Sequence, residues 1–116
     1  MSESQQQSIV IQWFRLNYSD YIIHSIPNGT HIKSFAGRMK AKAEGLTKGV
    51  SDLFVAVPRG GFGGMYIEMK DKGKTEKSMT PEQKAFIHYA QWVGYKAVCC
   101  CGADQAINAI EDYINL

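Results

Sequence analysis

Met65-Tyr66-Ile67-Glu68-Met69-Lys70 alternates strictly between apolar and polar side chains. In a β-strand successive side chains point to opposite faces, so Met65, Ile67 and Met69 share one face and Tyr66, Glu68 and Lys70 the other. One face packs and the other carries chemistry. Upstream, Val50–Val57 is apolar and β-branched, and the Gly-rich stretch Arg59–Gly64 joins it to the alternating strand. The pair predicts a β-hairpin. Downstream, Thr80 as N-cap, Pro81 at the first helical position and Gln83 as capping-box partner open a helix that ends at Gly94, with Phe86, Ile87, Ala90 and Val93 inward. A strand over Tyr95–Cys101 follows, and then a helix over Ala103–Ile114 with Ala106, Ile107, Ile110 and Tyr113 or Ile114 inward.

Before the hairpin, Ser2 and Gln5 form a second capping box for a helix over Glu3–Leu16, whose apolar face is Ile9, Val10, Trp13 and Phe14. Tyr21–Ile26 reads as a strand stopped by Pro27-Asn28-Gly29, and His31–Glu44 as a helix with Gly45 as its left-handed stop. The order is αβαββαβα, an α/β fold with a mixed central sheet flanked by helices. A chain of 116 residues and 13.0 kDa has room for one domain, spanning residues 1–116.

The composition, 45% hydrophobic and 21% charged, excludes a disordered or fibrous chain. No stretch approaches the roughly 20 apolar residues of a membrane span, and Met1–Gln7 lacks the pattern of a secretory signal, which places the protein in the cytoplasm and off the membrane. Cys99, Cys100 and Cys101 are consecutive and cannot easily pair with one another; between Val98 and Gly102 they read as small hydrophobes of a buried strand. Charge is concentrated rather than spread. Between His31 and Lys48, the cations Lys33, Arg38, Lys40, Lys42 and Lys48 face the single acid Glu44, an excess of +4 in a chain whose total is +2. Such a segment suits a phosphate backbone, although a solvated helix face explains a lone charge cluster as well. Ile32, Phe35 and Met39 at helical spacing beside it fit either core packing or a dimer surface.

If the hairpin loop closes with Pro58 opposite Met65, Asp52 falls level with Asp71, close to Lys70 and Glu68. Two carboxylates and an ammonium then gather at the open end of the hairpin. Carboxylate oxygens hold a hard cation such as Mg²⁺ or Mn²⁺, and a nearby lysine orients water and offsets developing negative charge, the requirements of phosphodiester hydrolysis. His24 and His88 have no partners at a recognisable spacing and read as structural or surface residues. The glycines beside Arg59 join two strands and are not followed by Gly-Lys-Ser/Thr, so they are not a P-loop; Arg59 itself is a candidate DNA contact.

Gly49-Val50-Ser51-Asp52-Leu53-Phe54, then Ile67-Glu68-Met69-Lys70, then Met79-Thr80-Pro81-Glu82-Gln83-Lys84, and Gly94-Tyr95 after a helix together resemble the VRR-NUC family of the PD-(D/E)XK nuclease superfamily. Pro27-Asn28-Gly29 and Glu3 near a glutamine-rich helix start fit the same family, and the likeness covers nearly the whole chain. Ser51 departs from it, standing where the family usually has proline. The resemblance implies a restriction-endonuclease-like fold and Mg²⁺- or Mn²⁺-dependent nuclease activity. Asp52 and Glu68 would be metal ligands, the Met69 carbonyl a further one, and Lys70 the motif lysine. Glu3 would match the acid that the first helix brings to the metal, or be a solvated helix end. Gln83 would match the motif glutamine, beside its capping role. The size resembles stand-alone phage or bacterial members, themselves similar to Holliday-junction resolvases. The expectation is therefore a homodimeric, structure-selective endonuclease acting on four-way DNA junctions in a bacterial or phage-infected cell. A flap endonuclease or exonuclease, and a non-catalytic DNA-binding module, are the alternatives.

Overall fold

A computed structural model describes the whole chain, Met1–Leu116. The elements are α1 (Glu3–Asn17), β1 (Ile23–Ser25), α2 (Phe35–Ala43), β2 (Leu53–Val55), β3 (Met65–Lys70), a 3₁₀ turn (Glu76–Ser78), α3 (Pro81–Trp92), β4 (Lys96–Cys101) and α4 (Ala103–Ile114). The order αβαββαβα stands. Both capping boxes form, Ser2 with Gln5 and Thr80 with Gln83, so α1 and α3 begin where their sequences say they should.

The four strands make one mixed sheet in the order β1-β2-β3-β4. The first two pairs are antiparallel, and β4 lies parallel to β3 after the crossover through α3. On one face α1 and α4 cover Met65, Ile67 and Met69, all fully buried with Val10, Phe14, Leu53, Ile110 and Tyr113. Burying each of these large apolar side chains stabilises the fold by about 1.5–3 kcal/mol, which fixes which face of β3 points inward. On the other face α3 packs Ile87 and Ala90 against Ala97, with Tyr66 and Phe86 beside them. The start of α4 has no capping side chain of its own, because Gly102 precedes it at φ +95°. Gln6 of α1 supplies the acceptor instead, its Oε1 taking the Ala103 N–H at 2.7 Å.

Several boundaries differ from the sequence reading. β1 shrinks to three residues, with Tyr21 and Ile22 exposed, and β2 to Leu53–Val55. α2 starts only after Ser34, whose Oγ caps Gly37 N–H. No residue of α2 is buried, and Phe35 and Met39 lie 72% and 50% exposed, so core packing does not explain its apolar stripe. Ile9 and Val93, both expected to face the core, are exposed as well.

The largest correction is the hairpin register. Val55, not Pro58, stands opposite Met65, and Leu53 stands opposite Ile67. The expected pairing allowed too short a connection. The chain leaves β2 at Ala56 and makes an inner turn closed by Arg59 and Phe62 before it returns. Only glycine fits where it re-enters, since a Cβ on Gly64 would enter the Phe54 ring.

Candidate active site

Carrying the observed register one step beyond Leu53 puts Asp52 level with Glu68 rather than with Asp71. The correction tightens the expected cluster, because the two carboxylates become direct cross-strand neighbours on the face toward α3. Asp52 is fixed from two sides. Its carbonyl accepts the Ile26 N–H at 2.8 Å, which ties it to the end of β1, and its Oδ2 accepts the Met69 N–H at 2.7 Å. Alternation in β3 turns the Met69 carbonyl toward that same edge.

Glu68 is 2% exposed, and its Oε1 has no hydrogen-bond partner. Burial, then the hydrogen bond to Asp52 and the charge of Asp52, push its pKa up to about 9, against a smaller opposing pull from Lys70. Two acids side by side cannot both ionise without a cation between them. Lys70, also buried, directs Nζ to Gln83 Oε1 at 3.1 Å. The same oxygen accepts the Thr80 N–H at 2.9 Å, so one glutamine both caps α3 and holds the lysine. The two roles read for Gln83 coexist.

Glu3 stands in the first turn of α1, half-buried. Burial raises its pKa first, and it feels the charges of Lys70, Asp52 and Asp71. The capped helix thus brings this acid to the cluster, but no three His, Cys, Asp or Glu side chains gather in a geometry ready to hold a metal. The donor chemistry still suits a hard divalent cation. Asp52 and Glu68 offer carboxylate oxygens, one of them buried without a partner, and a cation there would offset the burial and the Asp52 charge that keep Glu68 protonated. Sequence reasoning gave no role in the site to two further groups. Asp71, next after Lys70, has a buried unpartnered Oδ1 while its Oδ2 meets Lys74 at 3.7 Å. Ser51, fully buried, has an unpartnered hydroxyl where proline would have had none to satisfy.

The basic segment hangs from this end of the sheet, since the chain departs after Ile26 and returns at Ser51. Lys33, Arg38, Lys40 and Lys42 are exposed there. Arg38 braces the loop before α2, donating to the Lys33 carbonyl at 2.7 Å, and Lys48 reaches Glu82 of α3 at 3.4 Å. Arg59 does not belong with them. It lies at the opposite end of the hairpin, where its guanidinium donates to the Ile114 and Pro58 carbonyls and to the Tyr21 hydroxyl, at 3.1, 2.8 and 2.8 Å. These contacts give Arg59 a structural role at that end of the sheet. His24 and His88 are exposed and make no hydrogen bond to the cluster. The cysteines are free thiols on β4, and burial pushes Cys99 and Cys100 up to about 12.

An aspartate just before one strand and Glu-x-Lys on the next, at the open end of a mixed sheet between helices, is the layout of a nuclease domain. The profile of the VRR-NUC domain matches residues 1–104. A solved structure described as a VRR_NUC domain protein is 31% identical and superposes with a TM-score of 0.85, over 100% of this chain and 90% of that one. No curated protein matches the chain. The chain belongs to the VRR-NUC family, a family of nuclease domains. No helix is long and apolar enough to cross a membrane.

Proposed function

We propose that this chain is a divalent-metal-dependent, structure-selective DNA endonuclease of the Holliday-junction-resolvase kind, with Asp52, Glu68, Lys70 and Gln83 as its working centre. The observation that carries the reading is the unpartnered, buried Oε1 of Glu68 beside Asp52. A fold that needed these acids only for stability would have matched that oxygen or left it in water. Asp52, Glu68 and the Met69 carbonyl would hold Mg²⁺ or Mn²⁺, with Glu3 joining them. When bound, the cation polarises the phosphate and lowers the pKa of a water.

The chain's own groups do the rest. The Met69 N–H holds the Asp52 side chain, and the Ile26 N–H holds its backbone. Gln83 fixes the Lys70 ammonium at 3.1 Å, poised to orient water and to offset charge on the phosphate. Lys33, Arg38, Lys40, Lys42 and Lys48 bind the DNA backbone near the cut. One chain presents one such centre, whereas a four-way junction needs two symmetric cuts, which a two-fold homodimer supplies. The exposed Phe35 and Met39 are available to such an interface.

The test is a cleavage panel of labelled four-way junction, flap, single-stranded and duplex DNA, with light scattering for the assembly state. Paired nicks on the junction by a dimer are expected. A monomer that trims flaps or ends and leaves junctions intact would replace the resolvase reading with that of a flap endonuclease or exonuclease.

A further inference from the structure

Six rings form a connected path across the face of the sheet that α3 only partly covers. The path starts at exposed His24 on β1, passes Phe54 of β2 at 5.8 Å between centroids, and reaches Tyr66 of β3 at 4.6 Å. It climbs onto α3 at Phe86, 5.0 Å further, and runs along the helix to Tyr89 and Trp92 in steps of 6.3 and 6.5 Å. Packing accounts for the middle of the path, where Phe54, Tyr66 and Phe86 are half-buried. It does not account for the outer end. Tyr89 is 56% exposed and Trp92 82%, a large aromatic surface left in water.

The path begins beside the acids and leads away from them. Tyr66 precedes Glu68 by two residues on the same face of β3, a separation of about 6–7 Å. Gln83, which holds Lys70, opens α3, and Tyr89 and Trp92 follow it by about 9 and 14 Å along the axis at about 1.5 Å per residue. These are the distances at which successive nucleotides of a strand anchored at the acid–lysine cluster would lie. The surroundings favour a polyanion. α3 carries Lys84, its one acid Glu82 is already paired with Lys48, and that pair ties the basic segment to the start of α3, where the strand would be anchored. A second copy docked here would set these cations against their own equivalents.

We propose that this path is a stacking platform for unpaired nucleobases of the strand being cut, with Tyr89 and Trp92 as its outer steps. It rests on the nuclease reading above and adds to it the substrate feature recognised, bases left unpaired beside the cleaved bond, as at the open centre of a branched DNA. Flat rings with polar tips suit bases of any sequence, because every base has a π-face.

The experiment measures binding in chelator, so that cutting plays no part. Fluorescence anisotropy compares a duplex bearing a short single-stranded tail with the same duplex blunt-ended, for the wild-type chain and for Tyr89→Ala, Trp92→Ala and Trp92→Phe. Each alanine is expected to weaken binding to the tailed duplex about tenfold, to leave the blunt duplex unchanged, and Trp92→Phe to retain most of the affinity. An oligothymidylate should also quench the wild-type tryptophan fluorescence, and the quench should vanish in Trp92→Ala, which keeps Trp13. No loss on the tailed duplex, or equal loss on both DNAs, overturns the proposal. Equal loss with a dimer falling to monomer in light scattering would assign the face to a second copy. A wild-type chain that binds both DNAs without discrimination yet cuts them with Mn²⁺ would sink this inference alone, whereas one that neither binds nor cuts any DNA would sink the nuclease reading with it.

Discussion

Replacing Glu68 by glutamine should make the metal-free protein more stable while abolishing its activity. Glu68 is 2% exposed, has an unpartnered oxygen, and titrates at about 9 rather than near 4.5. Between those two values the folded chain holds a proton that the unfolded chain has released, so this group's contribution to stability falls as pH rises through the window. A glutamine never titrates, and its amide N–H can donate to Asp52 at every pH. Near pH 8 the wild-type carboxyl must take up a proton on folding and the variant escapes that cost; less the new amide's own imperfect match, the gain is about 1–2 kcal/mol. At about 4–8 °C per kcal/mol for a chain near this length, the melting temperature should rise by about 5–10 °C. Circular-dichroism melts in chelator at about pH 8 and about pH 3.5 provide the assay, with the advantage shrinking at the lower pH, where the wild-type carboxyl is protonated in both states. In Mn²⁺ the wild-type chain should gain stability and the variant should not. A variant that melts lower than wild type at the higher pH, or by a pH-independent margin, would refute this account of Glu68.

Lys70→Ala should lower turnover by at least about tenfold with little change in DNA affinity, as single-turnover kinetics beside gel shifts would show, because the role proposed for it is at the reacting phosphate. Lys40→Ala with Lys42→Ala should weaken binding to all DNAs alike and reduce the slope of log affinity against log salt by about one for each phosphate no longer neutralised. Arg59→Ala should cost about 1–3 kcal/mol in chemical denaturation, because the Ile114 and Pro58 carbonyls and the Tyr21 hydroxyl go without its donors, and leave DNA affinity unchanged.

What the sequence discloses depends on how local the determining physics is. Ser2 with Gln5 and Thr80 with Gln83 are contained within four residues each, and both caps form as read. The alternation of Met65–Lys70 names the buried face directly, because one face of a strand must meet the core. The register does not follow from that alternation. It depends on how the turn between β2 and β3 folds, and that turn is held by contacts of Arg59 with Tyr21 and Ile114, far away in sequence. The cap of α4 escapes a local reading for the same reason, since its acceptor comes from Gln6, 97 residues away. Asp52, Glu68 and Lys70 were legible as a group, whereas the charge state of Glu68 was not, because burial sets it and burial belongs to the whole fold.

The most direct test of the central claim is cleavage of labelled four-way junction DNA by purified wild-type chain and Asp52→Ala, each with Mg²⁺, Mn²⁺ or chelator. Asp52 is half-buried and its side chain accepts a single backbone hydrogen bond, so the alanine variant should fold and still bind DNA. The account predicts cutting by the wild-type chain with metal, none in chelator, and none by folded, DNA-binding Asp52→Ala under any condition. Cutting in chelator, or wild-type rates from Asp52→Ala, would contradict it.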